Sequence, residues 1–329
     1  MTISSVDLAR TLGLPEPTEQ QQAVIEADLE PALVVAGAGS GKTETMANRV
    51  VWLIANERVA ADEVLGLTFT RKAAGSLNER IAKRITQLRA VQRAASGAVA
   101  LEPGQPDPAE FEQPSVSTYN SFASAIFRDN AMRIGREPES VLLSESAAWQ
   151  LARKVVVASD DERLVRIGRS IDSLADVVLE LSHELGENVA DGAVASALAE
   201  RFAYLGELPY TSGKAKATPY ASVVKALADL DGLPVLVELA ERYAVEKKRR
   251  GLVEFSDQVA LALEVAERVP SVVDDFRSRY RVVLLDEYQD TSVVQTRLLA
   301  TLFGGHGVMA VGDPHQSIYG WRGASAANL

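Results

Sequence analysis

Residues 31–43 read PALVVAGAGSGKT. Leu33, Val34 and Val35 form a short apolar run that ends in a glycine-rich turn. Past the turn, Met46, Val50 and Leu53 fall on one face at helical spacing. Strand, glycine loop, helix is the pattern that decides the fold class: α/β, built on a parallel sheet. A second apolar run, Val64–Thr70 (VLGLTFT), lacks alternation, as a strand covered on both faces should. Ser115–Thr118 reads as a short strand before a helix near Asn120. Tyr280–Asp286 (YRVVLLD) and Val308–Val311 read as two more buried strands. Between them, from about Gly135 to Arg250, apolar residues recur at helical spacing, as in Leu164, Ile167, Ile171 and Leu174. The helical stretch is therefore expected as one excursion between two strands of the sheet.

Composition narrows the function classes. A chain of 329 residues, 47% apolar and 24% charged, fits two folded domains and excludes a disordered chain or a coiled-coil rod. Cysteine is absent, which excludes disulfides, thiolate zinc sites and Cys nucleophiles. The three histidines, His183, His306 and His315, lack metal-ligand spacing. A net charge of −11 argues against a general nucleic-acid coat protein. A local exception runs from Thr68 to Arg93: seven basic residues, Arg71 and Lys72 among them, against Glu79 alone. No apolar run approaches the ~18 residues of a membrane span. The N-terminus lacks the apolar core of a signal peptide, so a cytoplasmic protein is expected. Ala94–Pro114, with Pro103, Pro106, Pro108 and Pro114, reads as a loop.

Ala36-Gly37-Ala38-Gly39-Ser40-Gly41-Lys42-Thr43 has the form of a phosphate loop with Ala36 in the first glycine's place. The glycines let successive N–H groups turn toward an anion, and the following helix offers its positive end. Lys42 supplies charge to the β- and γ-phosphates of a nucleotide, and the Thr43 hydroxyl is placed for Mg²⁺. Asp286-Glu287 closes the strand VVLLD. Asp286 is assigned to the metal and Glu287 to general-base work on water. The Gln20 amide can read the edges of adenine, or simply lie exposed on a helix. Gln316 is placed to sense the γ-phosphate. Tyr319 and Trp321 are either stacking faces for bases, with Arg322 nearby, or core aromatics.

The order Gln20, AGAGSGKT, LTFTRKAA, TYNSF, EFSDQ, LLDEYQDTS, VGDPHQSIYGWRGA resembles the superfamily 1 DNA helicases of the UvrD/Rep/PcrA type. The resemblance covers nearly the whole chain. It implies a RecA-like P-loop NTPase domain 1A over residues 1–130 and 251–329, with a mostly helical domain 1B inserted over 131–250. It also implies ATP-driven 3′-to-5′ movement on single-stranded DNA, in repair or recombination, alongside partner proteins of those pathways. Carried over by motif, Gln20 contacts adenine, Lys42, Glu287 and Gln316 are catalytic, and Thr43 and Asp286 hold the metal. Phe69, Arg71, Lys72, Tyr119, Asn120, Tyr319, Trp321 and Arg322 line the DNA path, with the basic stretch after Thr68 beside phosphates.

Two departures stand out. Asn120 occupies a position where this family commonly has His. The chain ends at Leu329, before the family's second RecA-like domain, so one wall of the ATP site is expected here and little turnover from this stretch alone. Two alternatives are an ATP-binding interaction module without motor activity and the motor half of a helicase–nuclease.

Overall fold

The structure is a computed structural model that describes residues 2–96, 112–207 and 220–317. The chain forms two compact units, one from Met1–Ile126 with Ala262–Leu329, the other from Phe127–Leu261.

The first unit begins with helices α1 (Ser5–Thr11) and α2 (Glu19–Ile25), strand β1 (Ala32–Val35) and helix α3 (Lys42–Ala55). Strand β2 (Val64–Thr68), helix α4 (Arg71–Ser96), strand β3 (Ser115–Thr118) and helix α5 (Tyr119–Asn130) follow. The second unit contributes β4 (Val141–Leu142), α6 (Glu145–Val157), α7 (Arg163–Ile167), α8 (Ile171–Glu187), α9 (Gly192–Ala203), α10 (Ala221–Asp231), α11 (Leu233–Arg249) and β5 (Leu252–Val253). Helix α12 (Phe255–Arg268) leads back to α13 (Pro270–Arg279), β6 (Val282–Leu285), α14 (Val293–Phe303) and β7 (Val308–Gly312).

Five strands pair in the order β1-β7-β6-β2-β3. All the pairings are parallel, with Val34 opposite Val311, Leu284 opposite Met309, and Gly66 opposite both Leu284 and Val116. Alternation splits the central strands between two faces. Val64, Val282, Leu284, Met309 and Val311 join Met46, Val50 and Leu53 of α3 and Leu77, Ile81 and Ile85 of α4 in one core. Their neighbours Leu65, Leu67, Val283 and Leu285 are also buried, so both faces of the middle of the sheet are covered. This explains the continuous apolar runs. At the edge, β1 leaves Leu33 and Val35 exposed.

The second unit has its own core, from Leu151 and Val155 of α6, Leu174 and Val178 of α8, and Leu236, Leu239 and Tyr243 of α11. The apolar series Leu164–Ile167–Ile171–Leu174 is not one helix. Gly168 takes a left-handed φ of 68° and ends α7, and Ser170 caps α8 by accepting from the Ser173 N–H. Strands β4 and β5, too short to be legible in the sequence, pair in parallel near the two ends of this unit's chain. Beside them Lys247, buried on α11, pairs with Glu254 and Asp257, and Glu254 also bonds Tyr243 and His183.

One buried side chain fixes where α2 lies. Arg49 of α3 sends its guanidinium to the carbonyls of Val24, Ile25, Ala27 and Asp28, at 2.7–3.1 Å. Two of these are open carbonyls of the last turn of α2, and two belong to the segment just past its cap, Glu26. Burial pulls the Arg49 pKa down to about 10, so it remains charged at neutral pH. Arg49→Met strands four carbonyls and should cost ~2–4 kcal/mol. A denaturant series at constant slope reads this directly. A loss under ~1 kcal/mol would mean that water satisfies those carbonyls equally well.

Candidate active site

In a parallel sheet every strand ends on the same edge. Here that edge carries the phosphate loop after β1, Phe69 to Lys72 after β2, Tyr119 and Asn120 after β3, Asp286 and Glu287 after β6, and Asp313 to Gln316 after β7. Open α/β sheets bind ligands in this position.

The phosphate loop leaves β1 with the Ala36 N–H bonded to the Gly312 carbonyl of β7. Gly39 and Gly41 have φ of 75° and 82°, which favours residues without a Cβ. Gly41 caps α3 without any side-chain bond, so the first turn of that helix presents backbone N–H groups for an anion. The loop is held from α2. Gln21 accepts from the Thr18 N–H through Oε1 and donates through Nε2 to the Ser40 carbonyl, both at 3.0 Å. Gln20, the residue expected to read adenine, is exposed on the same helix. It is Gln21 that touches the loop.

Lys42 opens α3 with its side chain mostly buried and its Nζ 3.6 Å from Glu287 Oε2. Glu287 has φ 48°, left-handed for a residue with a side chain. Its carboxylate accepts from Gln289 Nε2 at 2.8 Å. Next to it, Asp286 is 3% exposed and takes the Glu287 N–H on Oδ1. Burial, and then the neighbouring Glu287 charge, push the Asp286 pKa up to about 6. Gln316 donates its side-chain amide to Asp313, which also accepts the His315 N–H. These bonds hold Asp313 below the usual carboxylate range.

The donor set fits a magnesium ion. Thr43 and Asp286 offer only oxygen, and Asp286 is a buried carboxylate short of positive charge. No group of three or more His, Cys, Asp or Glu side chains gathers among the described residues.

The basic helix α4 is divided in use. Arg71 and Lys72 are exposed at its first turn, and Phe69 just before them is half-buried. Arg80 and Arg84 instead turn toward α3 and pair with Glu44, Arg84 also reaching Asn48. Of the basic stretch expected beside phosphates, Arg80 and Arg84 thus have a carboxylate partner within the fold. They neutralise the carboxylate one residue from Thr43, which keeps that charge from opposing phosphate.

Tyr119, expected along the DNA path, is buried. It is 4% exposed, and its hydroxyl donates to the Asp286 carbonyl at 2.8 Å. Burial pushes its phenol far above the ordinary value, so it stays a donor. It braces the end of the strand that carries Asp286. Asn120 beside it is exposed, with Oδ1 accepting from Gln295 Nε2 at 2.8 Å. Tyr319, Trp321 and Arg322 lie outside the described residues. Residues missed from sequence are Gln21, Gln289 and Asp313. The capping pattern Thr18-x-x-Gln21 was the available signal for the first.

The chain matches the family model of the UvrD/REP helicase N-terminal domain over residues 17–329. It is 28% identical over 316 residues to the ATP-dependent DNA helicase PcrA of Staphylococcus aureus, covering 95% of this chain and 35% of the relative. It is 26% identical to DNA helicase II of Haemophilus influenzae, over 94% of this chain and 35% of that protein. It is 28% identical to the ATP-dependent DNA helicase UvrD2 of Mycobacterium bovis, over 93% and 37%. The chain thus spans about a third of the length of these curated relatives. Among the described residues no helix is long and apolar enough to cross a membrane.

The Asp286 shift has a consequence for stability. Its native pKa lies above the ordinary 3.8, so the native state holds the proton more tightly. Its contribution is full below the ordinary value and is lost as pH rises through about 6. Asp286→Asn should therefore raise the thermal midpoint of the metal-free protein near pH 7.5, by ~2–3 kcal/mol of stability. The gain should vanish below about pH 4. A midpoint at or below wild type near neutral pH would refute this.

Proposed function

Since the chain belongs to the UvrD/REP helicase family, we propose that it is the ATP-binding motor part of a DNA helicase that moves 3′-to-5′ on single-stranded DNA. The observation that carries the proposal is the Lys42–Glu287 approach of 3.6 Å, which sets the phosphate-loop lysine beside the carboxylate suited to activate water. ATP lies with its phosphates against the Gly37–Thr43 backbone and the open N-terminus of α3. Gln20 and its helix flank the adenine. Thr43 and Asp286 would hold magnesium, which when bound neutralises charge on the β- and γ-phosphates.

Glu287 takes a proton from a water whose oxygen attacks the γ-phosphorus. As that P–O bond forms, the bond to the β-phosphate oxygen breaks and ADP takes the leaving electrons. Lys42 offsets charge that builds on the phosphate oxygens. Gln316, reaching out from β7, senses whether the γ-phosphate is present. Arg71, Lys72, Phe69 and Asn120, with Tyr319, Trp321 and Arg322, carry the DNA strand. The bond from Gln295 to Asn120 and the bond from Tyr119 to Asp286 tie that side of the edge to the hydrolysis side.

Arginine fingers from a second RecA-like domain are worth ~10³–10⁵ in rate, so this chain alone should hydrolyse ATP very slowly. The protein acts in the cytoplasm, in repair or recombination of DNA. The test compares this chain with the full-length gene product. Single-stranded DNA should stimulate ATP hydrolysis by the full-length product and scarcely by this chain. Lys42→Ala should abolish the response, and duplexes with a 3′ tail should unwind in preference to those with a 5′ tail. Nucleotide binding without any DNA-stimulated turnover in the full-length product would reject the motor reading in favour of a nucleotide-gated interaction module.

A further inference from the structure

Gln289 is 1% exposed and sits on the same loop as Glu287, two residues further on, against the loop that carries Gln316. Its Nε2 donates to Glu287 Oε2 at 2.8 Å, and its Oε1 accepts the Asp313 N–H at 3.0 Å. Only one orientation of the amide satisfies both ends, because a carboxylate can only accept and a backbone N–H can only donate. The Ser317 hydroxyl bonds the Gln289 carbonyl at 3.3 Å, and Asp313 holds the Gln316 side chain. An unbroken path therefore runs from Glu287 through Gln289 and Asp313 to Gln316.

This path meets a specific need. Glu287 sits on a left-handed backbone, a conformation that persists only where its surroundings hold it. Two groups attract its carboxylate. Lys42, 3.6 Å away, is a flexible point charge that phosphate will draw off. Gln289 is closer, buried and fixed at its far end.

We propose that Gln289 is a positioning residue for ATP hydrolysis: its amide holds the Glu287 carboxylate and ties it to the Asp313–Gln316 loop. Base and γ-phosphate sensor then move as one piece. The inference rests on the reading of Glu287 as base and Gln316 as sensor. A misplacement near 1 Å can cost on the order of 100-fold in rate, so a strut of this kind has a measurable effect.

The test uses DNA-stimulated ATP hydrolysis by the full-length gene product. Gln289→Glu keeps the shape and still accepts from Asp313, but it cannot donate to Glu287 and sets a like charge beside it. Gln289→Leu removes both bonds. Each should lower kcat on the order of 10–100-fold while KM and the affinity for a fluorescent ATP analogue stay within about threefold. In a Glu287→Gln background, Gln289→Glu should produce no further fall, since the two residues act as a unit.

Retention of kcat within about threefold of wild type by Gln289→Glu would overturn the proposal. So would a full additional fall on top of Glu287→Gln. Loss of ATP binding together with a lowered melting temperature in both Gln289 variants would mark a merely structural role and overturn it too. Lys42→Ala serves as the separate control. If it or Glu287→Gln leaves stimulated hydrolysis intact, the site reading itself fails, whatever the Gln289 variants do.

Discussion

Parallel pairing of five strands is the constraint on which everything else here depends. A parallel sheet brings the C-terminal end of each strand to one edge, so chain segments hundreds of residues apart meet without further design. Thr43 and Asp286 are separated by most of the chain, yet their strands are divided only by β7. The hydrogen bond from the Ala36 N–H to Gly312 and the approach of Lys42 to Glu287 are direct results of that order. The apolar faces of α3 and α4 then press on one face of the sheet and leave the loop edge open.

Glutamine amides recur as the fasteners of that edge. Gln21 and Gln295 each close a capping box at a helix start, with Oε1 accepting the cap residue's own N–H. The remaining NH₂ of each is thereby aimed away from its helix, at Ser40 in one case and Asn120 in the other. A capping residue needs only an acceptor for its local task, so an amide has a donor left for a distant loop. Gln289 does the same between two loops instead of between a helix and a loop. A neutral side chain suits this work beside phosphates, because it adds order without adding charge.

Charge is handled separately. Glu44 is one residue from Thr43, and Arg80 and Arg84 absorb it. Asp286 is buried, and burial together with the Glu287 charge outweighs the Lys42 charge, pushing its pKa to about 6. The site thus retains one carboxylate that is costly in the free protein and eased by a cation. In the second unit the balance differs: Lys247 is buried against Glu254 and Asp257, with His183 and Tyr243 completing the set. There each charge has partners, as a structural cluster requires.

The sequence by itself determined the class of fold and where the phosphate-loop pattern lies in it. Apolar runs such as VLGLT and VVLL could only be buried strands, and AGAGSGKT before an amphipathic helix has few physical uses. Those are local properties, set by residue type and spacing. Tertiary structure decided what spacing cannot express. It buried Tyr119 beneath Asp286, turned Arg80 and Arg84 to Glu44, broke one apolar series at Gly168, and paired β4 with β5. It also gave Gln289 two partners, one of them 24 residues further along the chain. A side chain's task depends on which neighbours it meets once the strands are in order, and that order is a property of the whole sheet. Residue type limits what a group can donate or accept, while packing selects the partner.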